Sequence, residues 1–127
     1  MGLAITCIGF LGLLVIGLGL RVSLLRGSTQ RSIGYNEDPC DPLYKCVRAH
    51  ANACEFAPML AILIYALAGE GYGWWTSFLF VAAVVVRYLH AAGMLLSPTL
   101  EKPQPLRFVG ALGTYMVGIA LSLQAIF

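Results

Sequence analysis

In the run KCVRAHANACEFAPML, residues 45–60, Arg48, Asn52 and Glu55 recur at i, i+4 and i+7. On a helix turning about 100° per residue they project at about 0°, 40° and −20°, one polar stripe from which His50 points away. A second pair, Arg87 and His90, stands at i, i+3 in VVVRYLHAAGM with Met94 on the same line, and Arg107 follows Pro103 and Pro105. Three arginines face one carboxylate, so the set is cation-rich. A ligand bearing carboxylates, or a thiolate, completes the count, and guanidinium is the side chain best shaped for two-point carboxylate recognition. The competing reading is structural: Arg48 or Arg87 pairs with Glu55 and holds a bundle together.

These residues need elements to carry them, and the elements are membrane spans. The 127 residues are 59% hydrophobic and 11% charged, with a mean hydropathy of +0.80, outside the range of soluble domains. Four apolar stretches, about 3–25, 43–68, 74–97 and 105–127, are each long enough to cross a hydrocarbon core of about 30 Å. The fold class is therefore all-α integral membrane, a single four-helix transmembrane domain over 1–127. A signal peptide fits the first stretch poorly, because nothing basic precedes it and Arg21 and Arg26 follow it directly. An ionised side chain near the bilayer centre costs about 2.5 kcal/mol or more, so the polar stripe must face protein, a wet cavity or a ligand rather than lipid.

Basic residues set the orientation. The first connection holds Arg26 and Arg31 and is flanked by Arg21, Lys45 and Arg48, and the third holds Lys102 and Arg107, while Gly69–Gly73 holds none. The first and third connections are expected in the cytoplasm and both termini outside it. With the second helix entering from that side and the third returning to it, Arg48, Asn52, Arg87, His90 and Arg107 converge in the cytoplasmic half as one site. Tyr72, Trp74 and Trp75 suit the opposite interface.

The remaining features carry less chemistry. Cys7, Cys40, Cys46 and Cys54 show no CxxC spacing and read as free thiols, so no metal site is expected. The net charge of +2 gives no reason to expect a nucleic-acid partner. Pro39 and Pro42 should end the first connection where the second helix begins. Gly9, Gly12, Gly17 and Gly19 in the first span, and Gly110, Gly113 and Gly118 in the last, are read as close helix contacts.

The run RAHANACEFAP resembles the second-helix signature of the MAPEG family, membrane-associated proteins of eicosanoid and glutathione metabolism: Arg-x-x-x-Asn-x-x-Glu, then an aromatic position and Pro. The four-span plan, the basic first loop, Arg-x-x-His in the third helix and Pro-Leu-Arg in the fourth are similar too, so the resemblance covers nearly the whole chain. It implies a homotrimer with glutathione folded between neighbouring subunits at the cytoplasmic side. Arg48, Asn52 and Glu55 would bind the tripeptide, Glu55 answering its ammonium and Arg48 a carboxylate. Arg87 and His90 would line the same pocket, Arg107 would stabilise the thiolate, and either Arg21 or Arg26 matches a basic position ending the first helix.

The departures bear on activity. Phe56 stands where the family often has Tyr, Met94 at a glutathione-contacting Tyr position, Phe108 where the prostaglandin E synthase branch has serine, and Ala111 at a nearby Tyr position. These argue against prostaglandin isomerisation. The expected activity is a glutathione transferase or peroxidase acting on hydrophobic electrophiles or lipid hydroperoxides, its partners being further copies of itself and membrane lipid. The alternatives are a non-enzymatic lipid-binding or helper protein of the same fold, and a structural or transport protein with an anion path. Short loops without an N-x-S/T acceptor suit a bacterial inner membrane better than an endomembrane.

Overall fold

The computed structural model describes all 127 residues as four helices with no strand: α1 Gly2–Thr29, α2 Pro42–Gly69, α3 Trp74–Leu96 and α4 Pro105–Ile126. Every helix is long and apolar enough to cross a membrane, which makes the chain an integral multi-pass membrane protein. The first helix continues well past its apolar run, so that Arg21 and Arg26 lie on its last turns. Gln30, in the left-handed conformation, closes it by donating its backbone N–H to the carbonyls of Arg26 and Gly27.

Helix starts are chemically marked. Asp41 caps α2, its Oδ1 accepting from the Tyr44 N–H at 2.9 Å, and Pro42 fills the first position, where no N–H is needed. Gln104 caps α4 in the same way, its Oε1 accepting from the Arg107 N–H at 2.8 Å ahead of Pro105. The second helix runs on through Pro58, which has no N–H to give the Cys54 carbonyl.

In cross-section α2 and α3 form the central diagonal, α1 packs on both, α4 packs on both, and α1 does not touch α4. The larger core gathers Leu11, Leu60, Ile64, Phe80 and Leu121, and a smaller one gathers Leu14, Leu18, Ala49, Ala53 and Met94. The connections 30–41 and 97–104 share one end of the bundle, called here the basic end. There Leu100 N–H donates to the Pro39 carbonyl at 3.1 Å and Lys45 Nζ to the Ser97 carbonyl at 2.9 Å.

The α3–α4 contact is the closest in the molecule. A Cβ added at Gly110 would stand 2.4 Å from the His90 backbone nitrogen, and one at Gly93 would stand 2.3 Å from that of Arg107. Gly110→Ala is therefore expected to push the two helices apart and to destabilise the subunit by about 1–3 kcal/mol, read as a lowered unfolding midpoint in detergent. Gly113 meets Val86 and Gly19 meets the His50 ring, as expected of contact glycines. The first helix corrects the expectation elsewhere: Gly9, Gly12 and Gly17 have nothing within 4 Å of an added Cβ, because α1 turns them to the outer surface of the subunit.

Candidate functional site

The polar residues of α2, α3 and α4 meet at equal depth. Asn52 lies ten residues after the start of α2, Arg87 nine before the end of α3 and Thr114 nine after the start of α4, all measured from the basic end. At 1.5 Å per residue each is about 14 Å in, near mid-bilayer. Arg87 is only 1% exposed, and its guanidinium donates to Asn52 Oδ1 at 2.7 Å, to the Asn52 carbonyl at 3.2 Å and to Thr114 Oγ1 at 3.3 Å. Thr114 in turn donates to the Gly110 carbonyl at 2.7 Å. The ring of Phe56 lies below the guanidinium, 5.3 Å from Cζ to the centroid, a cation–π seat that is steadied by Tyr115 edge-on at 5.7 Å.

Phe56 thus supports the cation through its ring face, a contact that needs no hydroxyl. Arg87 Nε is buried without a partner, so the chain's own acceptors satisfy this cation incompletely. Arg87 pairs with Asn52 rather than with Glu55.

Nearer the basic end, His90 is buried at 7% exposure and its Nδ1 lies 3.0 Å from the Arg107 carbonyl. Arg107 donates from Nη1 to the Leu100 carbonyl at 3.0 Å and from Nη2 to the Lys102 carbonyl at 2.9 Å. Two of the guanidinium's five N–H donors are so engaged, and it borders an open recess of about 360 Å³ with His90, Glu101, Gln104 and Phe108. Asn52, Arg87 and Thr114 accordingly form one polar layer across α2, α3 and α4, and His90 and Arg107 a second between α3 and α4.

Arg48 and Glu55 are not part of these layers. Both are exposed on the outer face of α2, and neither side chain has a hydrogen-bonding or ion-pair partner within the subunit. Glu55 lies thirteen residues into the helix, about 20 Å from its start and deep in the apolar zone. His50 faces α1, where its ring packs over Gly19 and its Nε2 lies 3.4 Å from Cys54 Sγ. Of the first-helix candidates, Arg26 donates to the Gly34 carbonyl at 2.9 Å and so braces the first connection, while Arg21 is exposed. All four cysteines are free, and no three His, Cys, Asp or Glu side chains gather as metal ligands do.

The MAPEG family model matches residues 4–127, all but the first three positions. The chain belongs to the MAPEG family. No curated protein and no solved structure matches it. Membership places this MAPEG chain among membrane proteins of glutathione and eicosanoid metabolism, a family that has both enzymes and non-enzymatic members. Within the MAPEG plan, Thr114 is the partner that reading the sequence overlooked. Its signal was present: a threonine hydroxyl in the middle of α4, as far from the basic end as Arg87.

Proposed function

We propose that this protein is a glutathione transferase or peroxidase for hydrophobic electrophiles or lipid hydroperoxides, with its site completed by a neighbouring subunit of a homotrimer. The observation that carries the reading is the pair Arg48 and Glu55: opposite charges two helical turns apart, about 10 Å along α2, unpartnered in the subunit and at bilayer depth. Lipid cannot cover them at an acceptable free energy. A neighbouring subunit excludes lipid from this face, and a zwitterionic tripeptide neutralises both charges, an ammonium at Glu55 and a carboxylate at Arg48. Asn52 and Arg87 brace the same stretch of α2 from behind.

Arg107, with His90 on its backbone carbonyl, provides positive charge at the mouth of the site, where three N–H donors remain for a thiolate. The thiolate attacks the electrophile arriving from the bilayer, forming a carbon–sulfur bond as halide leaves; with a lipid hydroperoxide it takes the terminal oxygen as the O–O bond breaks, releasing the lipid alcohol and a sulfenic acid that a second glutathione converts to disulfide and water. Arg21 or Arg26 of the neighbouring subunit provides the further basic contact. The basic connections face the cytoplasm, both termini lie on the opposite side, and a bacterial inner membrane is the setting.

A calorimetric titration of the purified protein with glutathione tests the site. Glu55→Gln is expected to weaken binding by about 1.5–3 kcal/mol, roughly tenfold to more than a hundredfold, while His50→Ala changes it little. Full affinity in Glu55→Gln would remove the α2 stripe from the binding site. The engagement of Arg107 with the Leu100 and Lys102 carbonyls favours a second reading, a lipid-binding protein that holds glutathione without activating it.

A further inference from the structure

One nitrogen of the second polar layer has no partner. The Arg107 carbonyl, 3.0 Å from His90 Nδ1, can only accept, which puts the ring proton on Nδ1 and leaves the lone pair of the neutral imidazole on Nε2. Nε2 makes no hydrogen bond in the chain, yet it is not one of the two solvent-shielded atoms without a partner, which are Arg87 Nε and Gln124 Oε1. It therefore opens on the recess of about 360 Å³ that His90 borders, although the residue is only 7% exposed. The close approach of Gly110 to the His90 backbone fixes the ring's position.

The walls of the recess decide what a fixed basic nitrogen can do there. The charged side chains on them are Arg107 and Glu101, with none from α1 or α2, and Arg87 stands one turn away on α3 itself. Arg107 stabilises an anion but has no lone pair to take a proton. Glu101 lies exposed on the connection 97–104, and a carboxylate is a weaker base than an imidazole. Gln104 is occupied as the α4 cap. His90 Nε2 is thus the buried proton acceptor of the recess, and Pro103, Phe108 and Ala111 give it an apolar wall suited to a hydrocarbon chain. Arg87 and Arg107 repel a lasting imidazolium, so a proton taken by His90 is carried rather than stored.

We propose that His90 fits this site to hydroperoxides, its Nε2 taking the proton of the glutathione thiol and returning it to the lipid alkoxide. The inference rests on the glutathione reading above and names the substrate class within it. The S–H bond breaks as an N–H bond forms at Nε2, and Arg107 holds the thiolate. Sulfur then gives an electron pair to the terminal peroxide oxygen, so that an S–O bond forms while the O–O bond breaks. The alkoxide takes the proton from Nε2, leaving the lipid alcohol, a glutathione sulfenic acid and a neutral His90. Conjugation needs no such return, because halide leaves as a stable anion and the proton passes to water.

His90→Asn tests this, since the carboxamide N–H stands near the place of Nδ1 and still donates to the Arg107 carbonyl but offers no basic nitrogen. The rate of linoleate hydroperoxide reduction relative to conjugation of chlorodinitrobenzene is expected to fall about tenfold, water in the open recess replacing part of the general acid. In wild-type protein, hydroperoxide reduction should slow more in heavy water than conjugation does, a comparison that needs no variant. Equal loss of both rates in His90→Asn would assign the ring to packing, and an unchanged ratio or equal heavy-water effects would likewise overturn the relay. Wild-type protein that binds no glutathione would end the glutathione reading itself. Wild-type protein that binds and conjugates glutathione but reduces no hydroperoxide would end this inference alone.

Discussion

Asn52→Leu lowers the stability of the subunit by about 3 kcal/mol, a loss that equilibrium unfolding in mild detergent will measure. The change removes the shortest bond to Arg87, at 2.7 Å, and leaves a guanidinium that is 1% exposed with a backbone carbonyl, a threonine and an aromatic face. A hydrogen bond to a charged group contributes about 1.5–3 kcal/mol, and the buried donor left behind adds its desolvation. Asn52→Asp keeps an acceptor at the same place and gives the cation a counter-charge, so it should restore most of the loss. Unchanged stability in Asn52→Leu would mean that Phe56 and Thr114 suffice to hold Arg87.

The same bond explains what could be read from the sequence. Four apolar runs define four helices because hydrophobicity and length are local properties, and an intramembrane Arg-x-x-x-Asn-x-x-Glu stripe is conspicuous against lipid. Helical spacing also placed His50 off that stripe, as its contact with Gly19 now shows. Spacing on one helix could not show that Asn52 would turn to Arg87 while Arg48 and Glu55 remain outside, since that depends on which side of α2 the third helix occupies. For the same reason Gly9 and Gly110 looked alike in sequence, although only Gly110 has a helix against it. The Arg107 contacts with Leu100 and Lys102 arise from the path of a proline-rich connection, for which periodicity gives no signal.

Arg107→Leu has the largest expected effect on chemistry. A free thiol of pKa about 8.5 is only a few per cent thiolate at pH 7, and a cation fixed beside the sulfur in a partly dry site favours the anion. Lowering that pKa by about two requires about 2.7 kcal/mol and raises the thiolate fraction at pH 7 from a few per cent to roughly three quarters, so removing the charge should slow conjugation of an aryl halide by roughly 25-fold at that pH. The thiolate band near 240 nm, expected when glutathione binds at neutral pH, should disappear in the variant. Binding should largely persist, because the proposed tripeptide contacts are those of Arg48 and Glu55. Arg107→Lys keeps the charge but forms the two carbonyl bonds less well, so it separates the electrostatic contribution from the bracing of the 97–104 connection. If wild-type protein binds glutathione with no thiolate band and turns over no electrophile, the binding-only reading replaces the enzyme.

That α1 never touches α4 has a consequence for biogenesis. Helices α1 and α2 leave the ribosome as one hairpin and α3 and α4 as another, so the first can enter the bilayer before the second has been translated. During that interval Asn52 has no Arg87 to accept from, and Arg87 later arrives with only Thr114 of its own hairpin. Docking of the preformed hairpins joins them. A second hairpin inserted in the wrong orientation or register leaves Arg87 at mid-membrane with Thr114 alone, short of both Asn52 acceptors, so only correct docking of the hairpins completes the partners of this cation.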